Sequence, residues 1–348
     1  MTPAAPTQPS GTLYGIQYLR AFAALAVVFF HAAERSGFAF AIGAAGVDVF
    51  FVISGFIMWV IVERRPVSPG RFLKERLRRI APVYWLATTV MIAGGVAGLF
   101  PNLVLTASHV MASFFFVPMR SPSSGEIWPV LVQGWTLTYE MFFYGVFAAC
   151  LFLPARLRLA VVALVFLCAV ALGFAIESDN ALFVTYTRPI ILEFVAGMLI
   201  GQFWLAGKVP GRPQALALIF ASLAGFAAIA ALKLPFDEWT CGPLAIALVY
   251  GTASLERSGD IPLLKFPALL GAASYSIYLW HTFAISVAAK AGASLGLSPP
   301  ITFVVSACTG IAVGLCAYVL VERPLLKGRN IPLTRWRPWS SPGTQRRA

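Results

Sequence analysis

The sequence predicts an all-α protein, a polytopic integral membrane bundle of about ten transmembrane helices with both termini cytoplasmic. Three observations carry this expectation. Apolar residues make up 59% of the 348 and charged residues only 11%, where a soluble domain carries about a quarter charged; the mean hydropathy is +0.80. The apolar residues gather in runs close to the roughly 20 residues that a helix needs to cross hydrocarbon. Lysine and arginine alternate between rich and poor loops, the pattern that orients membrane helices.

In chain order the spans fall at about 14–34, 42–63, 80–100, 135–153, 158–176, 187–206, 214–232, 240–255, 268–290 and 301–322. A further stretch, 103–118, is short and closed by Pro101 and Pro118, so it is read as interfacial or re-entrant. With the N-terminus inside, twenty of the 26 Lys and Arg lie in inner loops and the C-terminal tail, four outside and two within helices. An eleventh span would invert the second half of that pattern. Residues 1–12 lack the basic start of a signal peptide and read as a disordered segment, 13–325 as one transmembrane domain, and 326–348 as a basic cytoplasmic tail. The formal charge of +12 would point to nucleic acid in a soluble chain. Here it is spent on loops beside the lipid bilayer, and no nucleic-acid partner is expected. Five cysteines without CxxC spacing read as small buried hydrophobes, with no disulfide framework and no metal site.

Ionisable side chains inside apolar runs mark function or buried pairs, because each costs at least about 2.5–3.5 kcal/mol at the bilayer centre. Arg20 and His31 are eleven residues apart, so they share a helix face about 16 Å apart along the axis. Glu34 follows one turn after His31. A carboxylate there would orient the imidazole as a general base; a packed interfacial histidine and a snorkelling arginine fit the spacing equally. Asp48 near the start of the second span reads as a site residue or a cap. The loop FLKERLRRIAPVYW sets Arg76 and Arg79 one turn apart at the start of the third span. It serves either as inner anchoring or as a site for phosphate groups, which guanidinium forks suit. Glu140 lies among aromatics beside Tyr139, Arg188 and Glu193 near the start of the sixth span, and His281 mid-span in the ninth.

Seven stretches in order, LRAFAALAVVFFH, GVDVFFVISGFIM, FLKERLRRIAPVYWL, WTLTYEMFFY, FVAGMLIG, SYSIYLWH and VERPL, resemble the acyltransferase-3 family of integral membrane O-acyltransferases. The opening IQYLRAFAALAVVFFHA is most similar to its bacterial exopolysaccharide O-acetyltransferase branch. The resemblance implies a bacterial inner-membrane enzyme. It would move an acetyl group from acetyl-CoA to a hydroxyl of a cell-surface or exported polysaccharide or its lipid-linked precursor, with no bound cofactor. It implies His31 as the catalytic residue paired with Arg20, Arg76 and Arg79 towards the acyl-CoA, and Glu140 as the acidic residue of its motif. Glu34 would assist His31, while Asp48, Tyr139, Arg188 and His281 would contact substrate. Unlike many relatives, this sequence carries no extramembrane hydrolase-like domain, so polysaccharide biosynthesis or export partners are conceivable. The rival reading of the buried charges is a proton-coupled secondary transporter, although no repeated halves are visible.

Overall fold

The computed structural model describes residues 12–259 and 261–327. Most of the expected N-terminal segment and basic tail lies outside the described residues. The helices, in chain order, are α1 (Tyr14–Arg35), α2 (Gly46–Arg64), α3 (Pro69–Val96), α4 (Ala107–Phe114), α5 (Gly134–Cys150), α6 (Ala155–Ala175), α7 (Ala181–Tyr186), α8 (Leu192–Ala206), α9 (Arg212–Leu232), α10 (Glu238–Ser258), α11 (Lys265–Ser294), α12 (Pro299–Ala317) and α13 (Arg323–Lys327). Short 3-10 turns precede α2 (Ala41–Ala45) and α8 (Pro189–Ile191), and a π turn (Tyr318–Glu322) joins α12 to α13.

Each of the ten expected spans coincides with one long helix. Seven of them, extended where 3-10 or π turns adjoin, are long and apolar enough to cross a membrane. The remaining three, α5, α10 and α11, are shorter or carry more polar side chains. The segment 103–118 holds only the eight residues of α4. One boundary differs. The third span was expected from residue 80, yet α3 begins at Pro69, so the basic loop is helix rather than loop. Proline at the first helical position has the required φ and no N–H to leave unsatisfied, and Arg71 pairs with Glu75 one turn on at 2.9 Å. Hydropathy does not register such a charged amphipathic turn.

The bundle is built around α2, whose span is 83% buried, while α6 and α9 are 17% buried and lie at the periphery. Helices this apolar all round bury one side against protein and leave the other to lipid. Exposed Leu164, Leu167 and Phe220 are of that second kind. The cysteines need the same correction. Cys150 and Cys241 are buried, but Cys168, Cys308 and Cys316 are exposed among such side chains, since an apolar segment faces lipid as readily as core. All five thiols are free.

Helix α1 packs against α2, α10, α11 and α12, and α2 against α8. The α2–α8 crossing is a backbone contact made possible by two glycines. A Cβ on Gly55 would run into the carbonyl oxygen of Phe194, and a Cβ on Gly197 into that of Val52. Small residues at a helix interface are what allow such approach in membranes. Phe194 then stacks on Phe51 and on Phe143, both with ring centroids 4.6 Å apart, which brings α5 onto the same seam.

Gly197→Ala is therefore expected to destabilise the fold by about 1–3 kcal/mol, the usual cost of overpacking, and Gly55→Val to prevent the crossing. Thermal unfolding of the detergent-solubilised protein checks both; a midpoint unchanged in each variant would contradict the crossing.

Candidate active site

A cavity of about 300 Å³ opens among the first turns of α1, α2 from Val47 to Met58, the start of α3, and α5 and α11. Arg20, Arg76, Arg79 and Glu140 all line it. These four come from three of the quoted stretches and meet only in the fold.

The polar contacts explain how such charges persist in an apolar slab. Arg79 Nη1 pairs with Glu322 at 3.1 Å. Glu322 is fully buried, and its other oxygen accepts from Ser276 Oγ at 2.6 Å. Glu140 accepts from Tyr144 OH at 2.5 Å and from Ser54 Oγ at 2.9 Å. Arg20 donates from Nε and Nη2 to Ser274 Oγ at 3.2 and 3.0 Å. Arg76 is 5% exposed, donates to Met58 Sδ at 3.7 Å, lies over the Phe72 ring and leaves Nε without a partner. Among the described residues, neither Arg20 nor Arg76 has a carboxylate within ion-pair distance. Of the three guanidinium groups that line the cavity, only Arg79 is held by a carboxylate at ion-pair distance.

His31 does not line this cavity. It sits at the far end of α1, with Nδ1 3.4 Å from Glu34 Oε2 as the helical spacing predicts. Its ring lies 5.2 Å from that of His281 on α11. His281 is fully buried, and its Nδ1 meets the Ile277 carbonyl at 3.0 Å. A carbonyl only accepts, so Nδ1 carries the proton and Nε2 a lone pair, which has no partner. Arg20 and His31 therefore do share a face: both meet α11, one at Ser274 and the other at His281. Tyr278 joins the two regions. It lines the cavity, accepts from Thr136 Oγ1 at 3.1 Å and lies 6.1 Å from the His281 ring.

Asp48, Tyr139 and Arg188 belong to neither group. Arg188 is ion-paired with Glu238 and bonded to Tyr139. Asp48 lies beside Glu193, both of them buried. Neither Glu140 nor Asp48 is at ion-pair distance from Arg20 or Arg188: Glu140 is bonded to Ser54 and Tyr144, Asp48 lies beside Glu193, and Arg188 is paired with Glu238. Sequence reasoning missed Ser54, Tyr144 and Ser274 as parts of the cavity and Glu322 as the partner of Arg79 behind it. Each lies inside a quoted stretch, and Tyr144 falls one turn after Glu140, which is the one signal that helical spacing offered.

A multi-pass helical bundle with an anion-ready cavity at one end and a histidine pair at the other defines a membrane enzyme class. Residues 13–319 match the acyltransferase domain family, and the chain belongs to it. Exopolysaccharide production protein ExoZ of Rhizobium meliloti is 63% identical over 86% of this chain and 94% of its own length. BcsY of Komagataeibacter xylinus is 27% identical over 92% and 85%, and O-acetyltransferase OatA of Staphylococcus aureus 24% identical over 90% and 57%. No solved structure matches. The chain is thus an O-acyltransferase, and the transporter reading of its buried charges falls away.

Replacing Glu322 by Ala leaves the half-buried Arg79 without its carboxylate. The expected loss is about 1–3 kcal/mol, read as a lowered unfolding midpoint that the further change Arg79→Met largely restores. Equal midpoints for wild type and Glu322→Ala would contradict the ion pair's role.

Proposed function

We propose that the protein transfers an acetyl group from acetyl-CoA to a hydroxyl of an exported polysaccharide or its lipid-linked precursor. The observation that carries the donor side is the pair of guanidinium groups, the half-buried Arg20 and the buried Arg76, that face the cavity without a carboxylate at ion-pair distance. The phosphates of a CoA thioester supply the missing negative charge, and guanidinium forks match them. The polysaccharide acceptor is supported by likeness to ExoZ and the acetyl group by likeness to OatA. The Lys and Arg distribution supports ten spans in a bacterial inner membrane, both termini cytoplasmic. In that orientation the cavity opens to the cytoplasm, where acyl-CoA is made, and His31 lies towards the outer half.

The chemistry follows from the histidine pair. Glu34 accepts from His31 Nδ1–H, so Nε2 is the free base. It takes the proton of the acceptor hydroxyl as that oxygen attacks the thioester carbonyl. The C–O bond forms, the C–S bond breaks, and the proton on His31 leaves with the CoA sulfur. While His31 is protonated at Nε2, the lone pair of His281 Nε2 is the neighbouring acceptor. Arg79 is tied to Glu322 and shapes the cavity wall, while Arg76, free of any carboxylate, meets the donor phosphates. Tyr278 and Thr136 lie between the cavity and the histidines on the route that the pantetheine arm would follow. Asp48, Tyr139 and Arg188 act at the other face of α5, away from the donor.

Two measurements test this. His31→Ala should abolish transfer of labelled acetyl from acetyl-CoA to glycan in proteoliposomes while the unfolding midpoint is kept; transfer at the wild-type rate would refute the base. Arg76→Ala should raise the KM for acetyl-CoA about 10- to 100-fold, the worth of a hydrogen bond to a charged group. An unchanged KM would remove the donor site from this cavity.

A further inference from the structure

A second cavity, also about 300 Å³, lies across α5 from the donor cavity. Thr136, Leu137, Glu140 and Tyr144 line the first; Trp135, Thr138 and Tyr139 line the second. One stretch, WTLTYEMFFY, is thus the wall of both. The second cavity belongs to the end of the bundle that holds His31. Its Arg188 neighbours Asp48 at the start of α2, which the chain reaches directly from the His31 end of α1.

Its lining differs in kind. The rings of Trp135 and Tyr139 meet edge to face at 5.8 Å. Trp128 is 39% exposed, but its backbone is pinned, since its carbonyl accepts from Nε2 of the buried His109 at 2.7 Å. Both cations already have a carboxylate: Arg188 is paired with Glu238, and Arg120 with Asp179 at 3.9 Å. Arg120 also donates to the carbonyls of Gly125 and Asp179 at 3.2 and 3.3 Å. The Glu126 carboxylate has no ion-pair partner among the described residues. The donor cavity carries unpaired positive charge; this one carries none. A phosphorylated ligand has nothing to neutralise it here, whereas flat ring faces beside hydrogen-bonding groups suit a neutral ligand that is apolar on its faces and polar round its edge.

We propose that this cavity binds one neutral sugar unit of the acceptor glycan. The unit stacks on Trp128 and bonds through its hydroxyls to Glu126 and Arg120. No histidine lines the cavity, so the sugar held here is a flanking unit that anchors the chain while another unit presents its hydroxyl to His31. The inference rests on the acceptor reading above.

The test uses the full chain in nanodiscs, with exopolysaccharide from the same cells stripped of its acetyl groups by mild alkali. Titration calorimetry, without acetyl-CoA, measures binding to wild type, Trp128→Ala and Trp128→Phe. Binding about tenfold weaker for Trp128→Ala, the scale of one aromatic contact, and largely kept by Trp128→Phe, supports the cavity. Equal binding by wild type and Trp128→Ala, or no binding by wild type, overturns it. In the acetyl-transfer assay, Trp128→Ala and Glu126→Gln should each raise the KM for the polymer and leave the KM for acetyl-CoA unchanged. A raised KM for acetyl-CoA would assign the cavity to the donor and refute the proposal. If wild type binds the polymer but transfers no acetyl to it, the acetyl-transfer reading fails while the sugar site stands.

Discussion

The structure depends on one constraint: a guanidinium group taken out of water needs a counter-charge or hydrogen-bond acceptors in place of that water. Three of them, Arg20, Arg76 and Arg79, converge on one cavity from two helices. Only Arg79 is answered by a carboxylate at ion-pair distance, and that carboxylate comes from the far end of the described chain. Glu322 closes a π turn, the wider winding that often accompanies functional positions in helices. It is held from two sides, by Arg79 and by Ser276. The ion pair thereby fastens α3 and the end of α12 to α11. Removing charge here does more than empty a pocket, because three helices use the same pair as a joint.

Once Arg79 is held, the other two arginines define what the cavity lacks. Glu140 is committed to Tyr144 and Ser54, and Ser54 is placed by the glycine crossing immediately after it. A tight α2–α8 contact thus reaches the arginine-lined cavity through one hydroxyl. Glu140 is thereby kept from closing onto Arg20 or Arg76, and the positive excess stays available. Packing and electrostatics are two descriptions of the same few residues at this point.

The helices were legible because hydrocarbon thickness and lipid solubility act residue by residue, and the ten apolar runs needed no partner to be recognised. The start of α3 was not legible by the same measure, because its first turns are charged and its helicity rests on Pro69 and the Arg71–Glu75 pair. The pairing of His31 with Glu34 followed from one helical turn. The splitting of the site did not. Helical spacing puts Arg20 and His31 on one face, but only the packing of α11 against that face separates them, giving Ser274 to one and His281 to the other. Glu322 and Ser54 escaped for a related reason. Their partners lie 243 and 86 residues away in sequence, and no local pattern links a serine to a carboxylate over such a span.

The separation of Arg20 from His31 has a chemical logic. A donor whose charged part is phosphate and an acceptor made of neutral sugar need opposite surroundings, and a single pocket would serve one at the other's expense. Seven residues along α11 divide the two regions, with Tyr278 and Thr136 between them. The phosphates of a donor held at the arginines would stay at the end of the bundle where water and counter-ions are near. Its acyl end would travel to the histidine pair. On the proposed mechanism, the buried lone pair of His281, costly to leave unsatisfied, would have a proton to accept for part of each cycle.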